Sequence, residues 1–236
     1  MNSRMKSVFI TGTDTGVGKT VVAASLLAAA RARGINAAPM KPVQTGCVTR
    51  GRRLVAPDLE FCLSAADLNP APQERHWMCP YRFIPASSPH LAAAHAGAHI
   101  QKETIRANFR RILKKNDAVV VEGAGGVLVP IDGRQTMLDL MKHLRLPVLL
   151  VARSGLGTLN HTLLSLHELR RAKLKVLGVV LVDSRPGKAG PIEKDNLRTI
   201  EKMGGVQVLA HLPFRKRLNC RKFAPLLARI IQSLEE

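Results

Sequence analysis

The chain has 236 residues, enough for one α/β domain that buries its core without a disulfide or a structural metal. Its 36 lysines and arginines against 17 aspartates and glutamates give a formal net charge of +19, and such a surface attracts phosphates of every kind, nucleic acid included. Aromatic residues make up only 3% of the chain and offer few platforms for stacked bases, so the composition favours a solvated basic face and argues against a nucleic-acid partner.

Short apolar, β-branched runs alternate along the chain with amphipathic stretches of helical period. The predicted strands are Val8–Thr11, Ala37–Pro42, Ala118–Glu122, Val148–Ala152, Val176–Val182 and Val206–Leu209. The predicted helices are Lys19–Arg33, Lys102–Lys115, Asn160–Lys173, Glu193–Met203 and Lys222–Leu234. Near-continuous apolar strands separated by helices indicate an α/β fold with a doubly wound, mostly parallel sheet flanked by helices. We expect residues 1–236 to form a single domain, with Thr45 to Gln101 as an excursion that carries short helices.

The first strand runs into a loop rich in glycine and threonine, GTDTGVGKT, which ends at Thr20. Glycines let backbone N–H groups converge on phosphate oxygens, and the helix beginning at Gly18 adds partial positive charge. Lys19 is expected to reach the β- and γ-phosphates, and the Thr20 hydroxyl to ligate magnesium. Thr13 stands where the pattern G-x-x-x-x-G-K-[ST] has glycine. The order of strand, G-K-T and helix nevertheless predicts a site for a nucleoside triphosphate with magnesium.

Three charged residues are candidates for the same crevice, because ligands of parallel sheets bind beyond the carboxyl ends of the strands. Lys41 ends the second predicted strand, where a lysine would stabilise charge during phosphoryl transfer; a surface lysine fits the sequence equally well. Glu122 ends the strand AVVVE and is a candidate magnesium ligand, with a role in capping the next turn as the alternative. Asp58 is a second candidate ligand, and an N-cap of the following helix is its alternative.

Five segments in this order resemble the dethiobiotin synthetase family: GTDTGVGKT, KPVQTG, SSPHLAAAHAG, VEGAGG followed by VPI, and VARSGLGTLNH. The resemblance extends from Val8 to about Leu212, and the loop of that family has the same displaced glycine. It implies a P-loop NTPase-like fold and an ATP- and magnesium-dependent ring closure in biotin biosynthesis. In that reaction 7,8-diaminononanoate takes up CO2 on one amine, and the resulting carbamate attacks the γ-phosphate to form a carbamic–phosphoric anhydride. The second amine then closes the ureido ring and releases phosphate.

The resemblance also implies roles for single residues. Lys41 would be the catalytic lysine that contacts the carbamate and the γ-phosphate, Thr45 would bind the substrate, and Thr20, Asp58 and Glu122 would surround magnesium. The residues implied to bind the nucleotide are Thr15, Gly16, Val17, Gly18, Lys19, Thr20, Val21, Asp58, Glu122, Gly123, Ala124, Gly125, Asp183, Pro213 and Phe214.

The family works as a homodimer in which the neighbouring subunit partly receives the substrate carboxylate. The matching residues are Gly157, Thr158 and Asn160, at a predicted helix N-terminus that suits an anion. An ordinary strand-to-helix turn with Asn160 near the cap is the alternative for this segment.

One position departs from the family pattern. After the strand VLGVVLVD the family often has asparagine before the aspartate, facing the adenine edge, whereas this chain has Val182 before Asp183. Because valine cannot make those hydrogen bonds, we expect a relaxed preference among nucleoside triphosphates. Phe214 would offer the base a stacking face.

Related classes of P-loop protein are weaker interpretations. Partition and cell-division ATPases, which bind DNA or membrane, usually carry an extra lysine in a K-G-G form where this chain has Thr13-Asp14-Thr15. Amidotransferase-type synthetases that act on corrinoids need a glutaminase domain, which we do not expect here. The presence of Lys19, Lys41 and both candidate acidic ligands argues against an inactive relative.

Cysteine usage and hydropathy bear on the compartment. The four cysteines, Cys47, Cys62, Cys79 and Cys220, are scattered without metal-ligand spacing, which is typical of reduced thiols. No apolar run approaches the ~20 residues of a membrane span, and the first residues do not follow the pattern of a signal peptide. We therefore expect a cytoplasmic protein without a membrane partner.

Overall fold

The computed structural model describes residues 5–51 and 53–235; residues 1–4, 52 and 236 of the predicted domain lie outside this part. The strands, in chain order, are β1 (Val8–Gly12), β2 (Ala37–Met40), β3 (Val43–Gln44), β4 (Val48–Arg50), β5 (Arg53–Val55), β6 (Tyr81–Arg82), β7 (Ala118–Gly126), β8 (Val148–Arg153), β9 (Val176–Val182) and β10 (Val208–Leu212). The α-helices are α1 (Lys19–Ala32), α2 (Pro57–Ala65), α3 (Pro72–Met78), α4 (Pro89–His95), α5 (Lys102–Leu113), α6 (Met137–Leu144), α7 (Thr158–Arg171), α8 (Pro191–Gly204) and α9 (Ala228–Glu235), and a 3₁₀ helix spans Cys220–Leu227.

The central sheet has the strand order β10-β9-β8-β1-β7-β2, and all neighbouring strands run parallel. Successive strand residues point to opposite faces, so Val8 and Ile10 pack with α1 in one buried cluster while Phe9 belongs to the other. One face is covered by α1, the 3₁₀ helix and α9, the other by α5, α6, α7 and α8. The predicted doubly wound α/β fold is confirmed.

Five of the six predicted strands have different ends in the structure; β1 and β8 each extend one residue further than predicted, to Gly12 and Arg153. β2 stops at Met40, because the Lys41 N–H donates to the Met78 carbonyl oxygen at 2.7 Å and Pro42 has no N–H to continue the ladder. β7 continues past Glu122 to Gly126, and the last strand begins at Val208 and ends at Leu212. The shift at β2 matters most, since it places Lys41 just outside the sheet.

The helices differ from the predictions at the C-terminal end and in the middle of the chain. The predicted helix Lys222–Leu234 is divided into the 3₁₀ helix and α9, with Pro225 inside the 3₁₀ segment, where it has no N–H to donate. The helix predicted from Asn160 begins two residues earlier, after Gly157, whose φ is +89°. Helix α6, with Thr136 at its N-cap, had no counterpart among the predicted helices.

The excursion between Thr45 and Gln101 carries short helices, as predicted, and the small strands β4, β5 and β6. β4 and β5 form an antiparallel hairpin, and β3 pairs in parallel with β6. Helices α2, α3 and α4 complete the segment. Across the residues that the structure describes, no helix is both long and apolar enough to cross a membrane.

Candidate active site

The loop between β1 and α1 forms a cradle for an anion. Gly16 and Gly18 have φ values of +71° and +102°, a left-handed conformation that favours glycine. No side chain of the described residues caps the N-terminus of α1, so its first N–H groups are available to phosphate oxygens. The Lys19 ammonium curls back onto the Asp14 carbonyl oxygen at 2.7 Å. Burial, together with repulsion from Lys41, lowers the pKa of Lys19 to about 8.

Lys41 lies at the centre of a buried charged cluster. Its Nζ is 2.6 Å from Glu122 Oε1, 2.7 Å from Asp58 Oδ2 and 3.2 Å from the Gly123 carbonyl oxygen. The lysine is only 5% exposed and the glutamate 3%. The alternative of a surface lysine is therefore wrong, and one ammonium group bridges two carboxylates that come from different elements.

The charges of this cluster stabilise one another. Burial alone would lower the pKa of Lys41, but attraction by Glu122 and Asp58 outweighs it and raises the pKa above its ordinary value. Burial likewise opposes ionisation of Asp58, but Lys41 holds the pKa of that carboxyl below its usual range. Lys41 is thus a persistent cation at the edge of the sheet.

The oxygen atoms around Thr20 suit a magnesium ion. The Thr20 hydroxyl donates to Glu122 Oε1 at 2.8 Å. Glu122 Oε2 is buried and has no hydrogen-bond partner within residues 5–51 and 53–235, which is rare for a buried carboxylate oxygen. A hydroxyl and two carboxylates are a donor set that fits magnesium, which prefers oxygen ligands. The residues present therefore fit this cation.

The local alternatives for the two acids are wrong. Asp58 is the second residue of α2, and Ala56 occupies the N-cap position, so the Asp58 carboxylate is free to reach Lys41. Glu122 lies inside β7 and its side chain contacts Thr20 and Lys41. Neither carboxylate caps a helix or a turn.

A cavity of about 670 Å³ opens beside this cluster. It is lined by most of the residues predicted to bind phosphate, metal and substrate: Thr15, Gly16, Gly18, Lys19, Thr20, Val21, Lys41, Thr45, Asp58, Glu122, Ala124 and Gly125. The same cavity is lined by Ala86, Ser87, Ser88 and Pro89, which lead into α4, and by Val129. Gly123 does not line the cavity but meets Lys41 through its carbonyl oxygen.

A second, smaller cavity of about 250 Å³ continues from the loop toward β9 and β10. Its lining includes Val17, Val182, Asp183, Pro213 and Phe214. A Cβ at Gly18 would lie 3.0 Å from a methyl group of Val182, so the valine packs directly on the phosphate loop. Position 182, where the family pattern often has an asparagine, is therefore apolar, whereas Arg153, Ser184 and Arg215 also line this cavity.

The residues predicted to receive the substrate carboxylate lie apart from both cavities. Gly157 precedes α7 and Asn160 is exposed within its first turn. Thr158 is buried, with its hydroxyl 3.2 Å from that of Thr162. Within one chain these residues do not meet Lys41.

Sequence reasoning did not identify Gln44. Its buried side chain accepts a hydrogen bond from the Asp58 N–H at 3.2 Å and donates to the Thr45 carbonyl oxygen at 3.0 Å. It thereby ties the segment after Lys41 to the start of α2. The signal was present, since Gln44 lies within the KPVQTG segment between Lys41 and Thr45.

Solved structures share this fold at low sequence identity. The cell division ATPase MinD of Pyrococcus furiosus matches with a TM-score of 0.61 and 16% identity, covering 96% of this chain and 99% of that one. The signal recognition particle receptor FtsY from Elizabethkingia anophelis matches with a TM-score of 0.57 and 13% identity, over 96% of this chain and 66% of that one. At such identities the likeness shows the fold alone.

Sequence relatives are more specific. A family model described as an AAA domain matches residues 6–221. The ATP-dependent dethiobiotin synthetase BioD of Anaeromyxobacter dehalogenans is 40% identical over 230 residues, which cover 98% of this chain and 96% of that protein. The BioD proteins of Nitrosospira multiformis and Anoxybacillus flavithermus are 38% and 36% identical, and the matches cover 94% and 89% of this chain and 94% and 92% of those proteins. The chain belongs to the ATP-dependent dethiobiotin synthetase family.

Proposed function

We propose that the protein carboxylates 7,8-diaminononanoate with CO2 and closes the product to dethiobiotin, consuming ATP and releasing ADP and phosphate. The observation that carries this proposal is the Lys41 ammonium, bound to Asp58 at 2.7 Å and Glu122 at 2.6 Å at the edge of the phosphate-loop cavity. A second buried lysine beside Lys19 goes beyond what nucleotide binding requires. It suits a reaction in which a carbamate oxygen attacks phosphorus and negative charge accumulates.

Each charged group has a task in the proposed mechanism. The backbone N–H groups of Gly16–Thr20 and the Lys19 ammonium bind the β- and γ-phosphates. Lys41 holds the carbamate in line with the γ-phosphorus and neutralises charge on both partners, which leaves the anhydride poised for attack by the second amine. Magnesium, held by Thr20, Asp58 and Glu122, would neutralise charge on the transferring phosphoryl group.

Substrate binding involves residues on two parts of the surface. Thr45 lines the main cavity and is proposed to donate its hydroxyl to the substrate. Gly157, Thr158 and Asn160 lie apart from that cavity, so we assign them to a homodimer in which they receive the carboxylate of the substrate bound to the neighbouring subunit. The four cysteines are free thiols, in keeping with the proposed cytoplasmic location.

The nucleotide preference is proposed to be relaxed. Val182 presents methyl groups to the pocket, and a base bound there loses the hydrogen bonds that an amide would supply. Phe214, 37% exposed, remains as a stacking face. Comparable kcat/KM values for ATP and CTP would support this view, and a thousand-fold preference for ATP would refute it.

The function is tested by incubating the protein with diaminononanoate, ¹³C-bicarbonate and MgATP. We expect dethiobiotin that is one mass unit heavier than the unlabelled compound, formed in step with ADP and phosphate. Omission of the diamine should suppress ADP formation, because the carbamate is the nucleophile. ATP hydrolysis that ignores the diamine, without labelled dethiobiotin, would contradict the proposal.

A further inference from the structure

The carboxyl ends of β8, β9 and β10 meet at one carboxylate, that of Asp183. His211 Nε2 on β10 lies 2.6 Å from Asp183 Oδ1, and the Ser154 hydroxyl at the end of β8 donates to the same oxygen at 2.5 Å. Because a carboxylate only accepts hydrogen bonds, the imidazole is the donor. Both side chains of the His–Asp pair are largely buried, with exposures of 22% and 11%.

Main-chain hydrogen bonds also join these strand ends. The Asp183 N–H donates to the Leu212 carbonyl oxygen at 2.9 Å, and the Ser154 N–H donates to the Val182 carbonyl oxygen at 3.1 Å. From α8, the buried Asn196 amide donates to the Ser154 carbonyl oxygen at 2.8 Å. Three strand ends and a helix are thus joined by hydrogen bonds that converge around Asp183.

This network borders the smaller cavity, because Asp183 is itself part of the cavity lining. Leu212, Pro213 and Phe214 line that cavity, while His211 is not part of the lining. His211 and Leu212 are successive residues of β10, so their side chains point to opposite faces of the sheet. The Val182 side chain offers no hydrogen bond, so a base in this cavity would be recognised through the other groups of residues 182–184 and 213–215, which line it. The positions of those groups depend on the strand ends that the network joins.

We propose that His211 is a positioning residue for nucleoside recognition: by donating to Asp183 it holds the β9 and β10 ends at the spacing that the base requires. The proposal rests on the nucleotide-dependent function above and adds a residue to which the resemblance assigns no role. In this arrangement Asp183 contributes through its contacts with Ser154 and His211, and its carboxylate serves the pocket wall more than the nucleotide itself.

The test compares the affinity for a ligand that has a base with the affinity for one that has only phosphates. In His211→Leu, the affinity for MgATP should fall about tenfold and KM for ATP should rise accordingly, while kcat stays within about twofold. The affinity for inorganic tripolyphosphate, which has no base, should stay within about twofold of the affinity of the unmodified protein, because the phosphate loop is not part of the network. Calorimetry of both ligands gives this comparison without relying on turnover.

A conservative variant provides the rescue. His211→Gln places an amide nitrogen near the position of Nε2 and should restore most of the ATP affinity. Ser154→Ala removes the other donor to Asp183 and should weaken ATP in the same direction by a smaller factor; it carries the test if His211→Leu does not fold. His76→Ala, on the exposed side of α3, is the matched control and should bind both ligands normally.

Two results would overturn the proposal: unchanged ATP affinity in His211→Leu, or equal losses for ATP and tripolyphosphate, which would indicate a general structural defect. Failure of the function itself has a different signature, since the original protein would then form no dethiobiotin from MgATP and diaminononanoate.

Discussion

The two cavities of the proposed nucleotide site differ in the groups that line them. We call the part around Lys19, Lys41 and Glu122 the reaction end, and the part around Val182 and Phe214 the base end. At the reaction end Lys19, Lys41 and Glu122 are each less than a tenth exposed, and every one of them contacts another charged or strongly polar group. At the base end Val182 and Phe214 present carbon, and they share the cavity wall with Arg153, Asp183, Ser184 and Arg215. Buried paired charges tolerate few arrangements because each lost partner leaves an expensive unpaired group, whereas apolar side chains such as Val182 and Phe214 accept several shapes. We therefore expect the reaction to be specified more strictly than the base.

The largest effect is expected from Lys41→Ala. Removing the ammonium deletes a charge that we propose lies beside the γ-phosphate, and it leaves Asp58 and Glu122 facing each other, so turnover should fall by about 10³-fold or more. Circular dichroism should show that the fold persists. Lys114→Ala, at an exposed position after α5, is the matched control. Near-normal dethiobiotin formation by the Lys41 variant would remove the lysine from its proposed role.

A smaller but still large effect is expected from Glu122→Gln. The amide keeps the shape of the side chain but is a poorer ligand for a hard cation, so half-saturation should need roughly 10- to 100-fold more magnesium. Titration of turnover against magnesium at fixed ATP measures this, with the exposed Glu103→Gln as control. An unaltered magnesium requirement would argue against metal ligation by Glu122.

The base end should respond to a gain of polarity. Val182→Asn adds a donor and an acceptor at the pocket wall and should raise the preference for ATP over CTP, as a ratio of kcat/KM values, by about tenfold. Val182→Thr, with similar shape but no amide, should change the ratio little. If Val182→Asn leaves the ratio of the kcat/KM values for ATP and CTP unchanged, the side chain at position 182 does not face the base.

The smallest differences should appear in the reactivity of the thiols, which reports how deeply each cysteine is buried. Cys62 lies on α2, and burial raises its pKa well above the ordinary value; Cys220 begins the 3₁₀ helix, and burial raises its pKa less. Because the thiolate is the reactive form, we expect native Cys62 to be alkylated more slowly than Cys220 at pH 8.5, and both equally in urea.

The pH dependence of Cys79 alkylation provides a related prediction. Burial raises its pKa to about 12, so below that value the thiolate fraction increases about tenfold for each pH unit. Its alkylation in the folded protein should keep rising through pH 9.5, whereas in urea it should level off near pH 9. A native rate that levels off near pH 9 would contradict the assignment of Cys79 as a buried thiol.

Much of the reaction end could be predicted because its residues lie in short motifs at strand ends. The loop of Gly16 to Thr20, the lysine after the second strand and the acid in AVVVE are local patterns, and a parallel sheet brings them to one edge. What local sequence could not decide was whether Lys41 is buried or whether Asp58 caps α2. Those answers depend on contacts between separate segments, 17 residues apart for Lys41 and Asp58 and 81 residues apart for Lys41 and Glu122.

The base end was harder to predict for the same reason. Ser154 and Asp183 directly follow β8 and β9, and His211 lies in β10. The sequence around each of these residues does not indicate that it contacts the other two. The end of β2 and the 3₁₀ helix around Pro225 were also missed, since apolar periodicity continues through both positions while the hydrogen bonding changes. Local patterns predict which residues are strand or helix better than they predict where a backbone N–H finds its acceptor.

The early end of β2 has a consequence for how the chain can vary. The Lys41 N–H is held by the carbonyl oxygen of Met78, the last residue of α3, so Lys41 is anchored to the excursion as well as to the sheet. Shortening the excursion would release this anchor even if every residue lining the cavity were kept. Insertions at its exposed β4–β5 hairpin, by contrast, leave the anchor in place. The excursion therefore supports Lys41 from outside the sheet, and we expect it to tolerate insertions but not deletions.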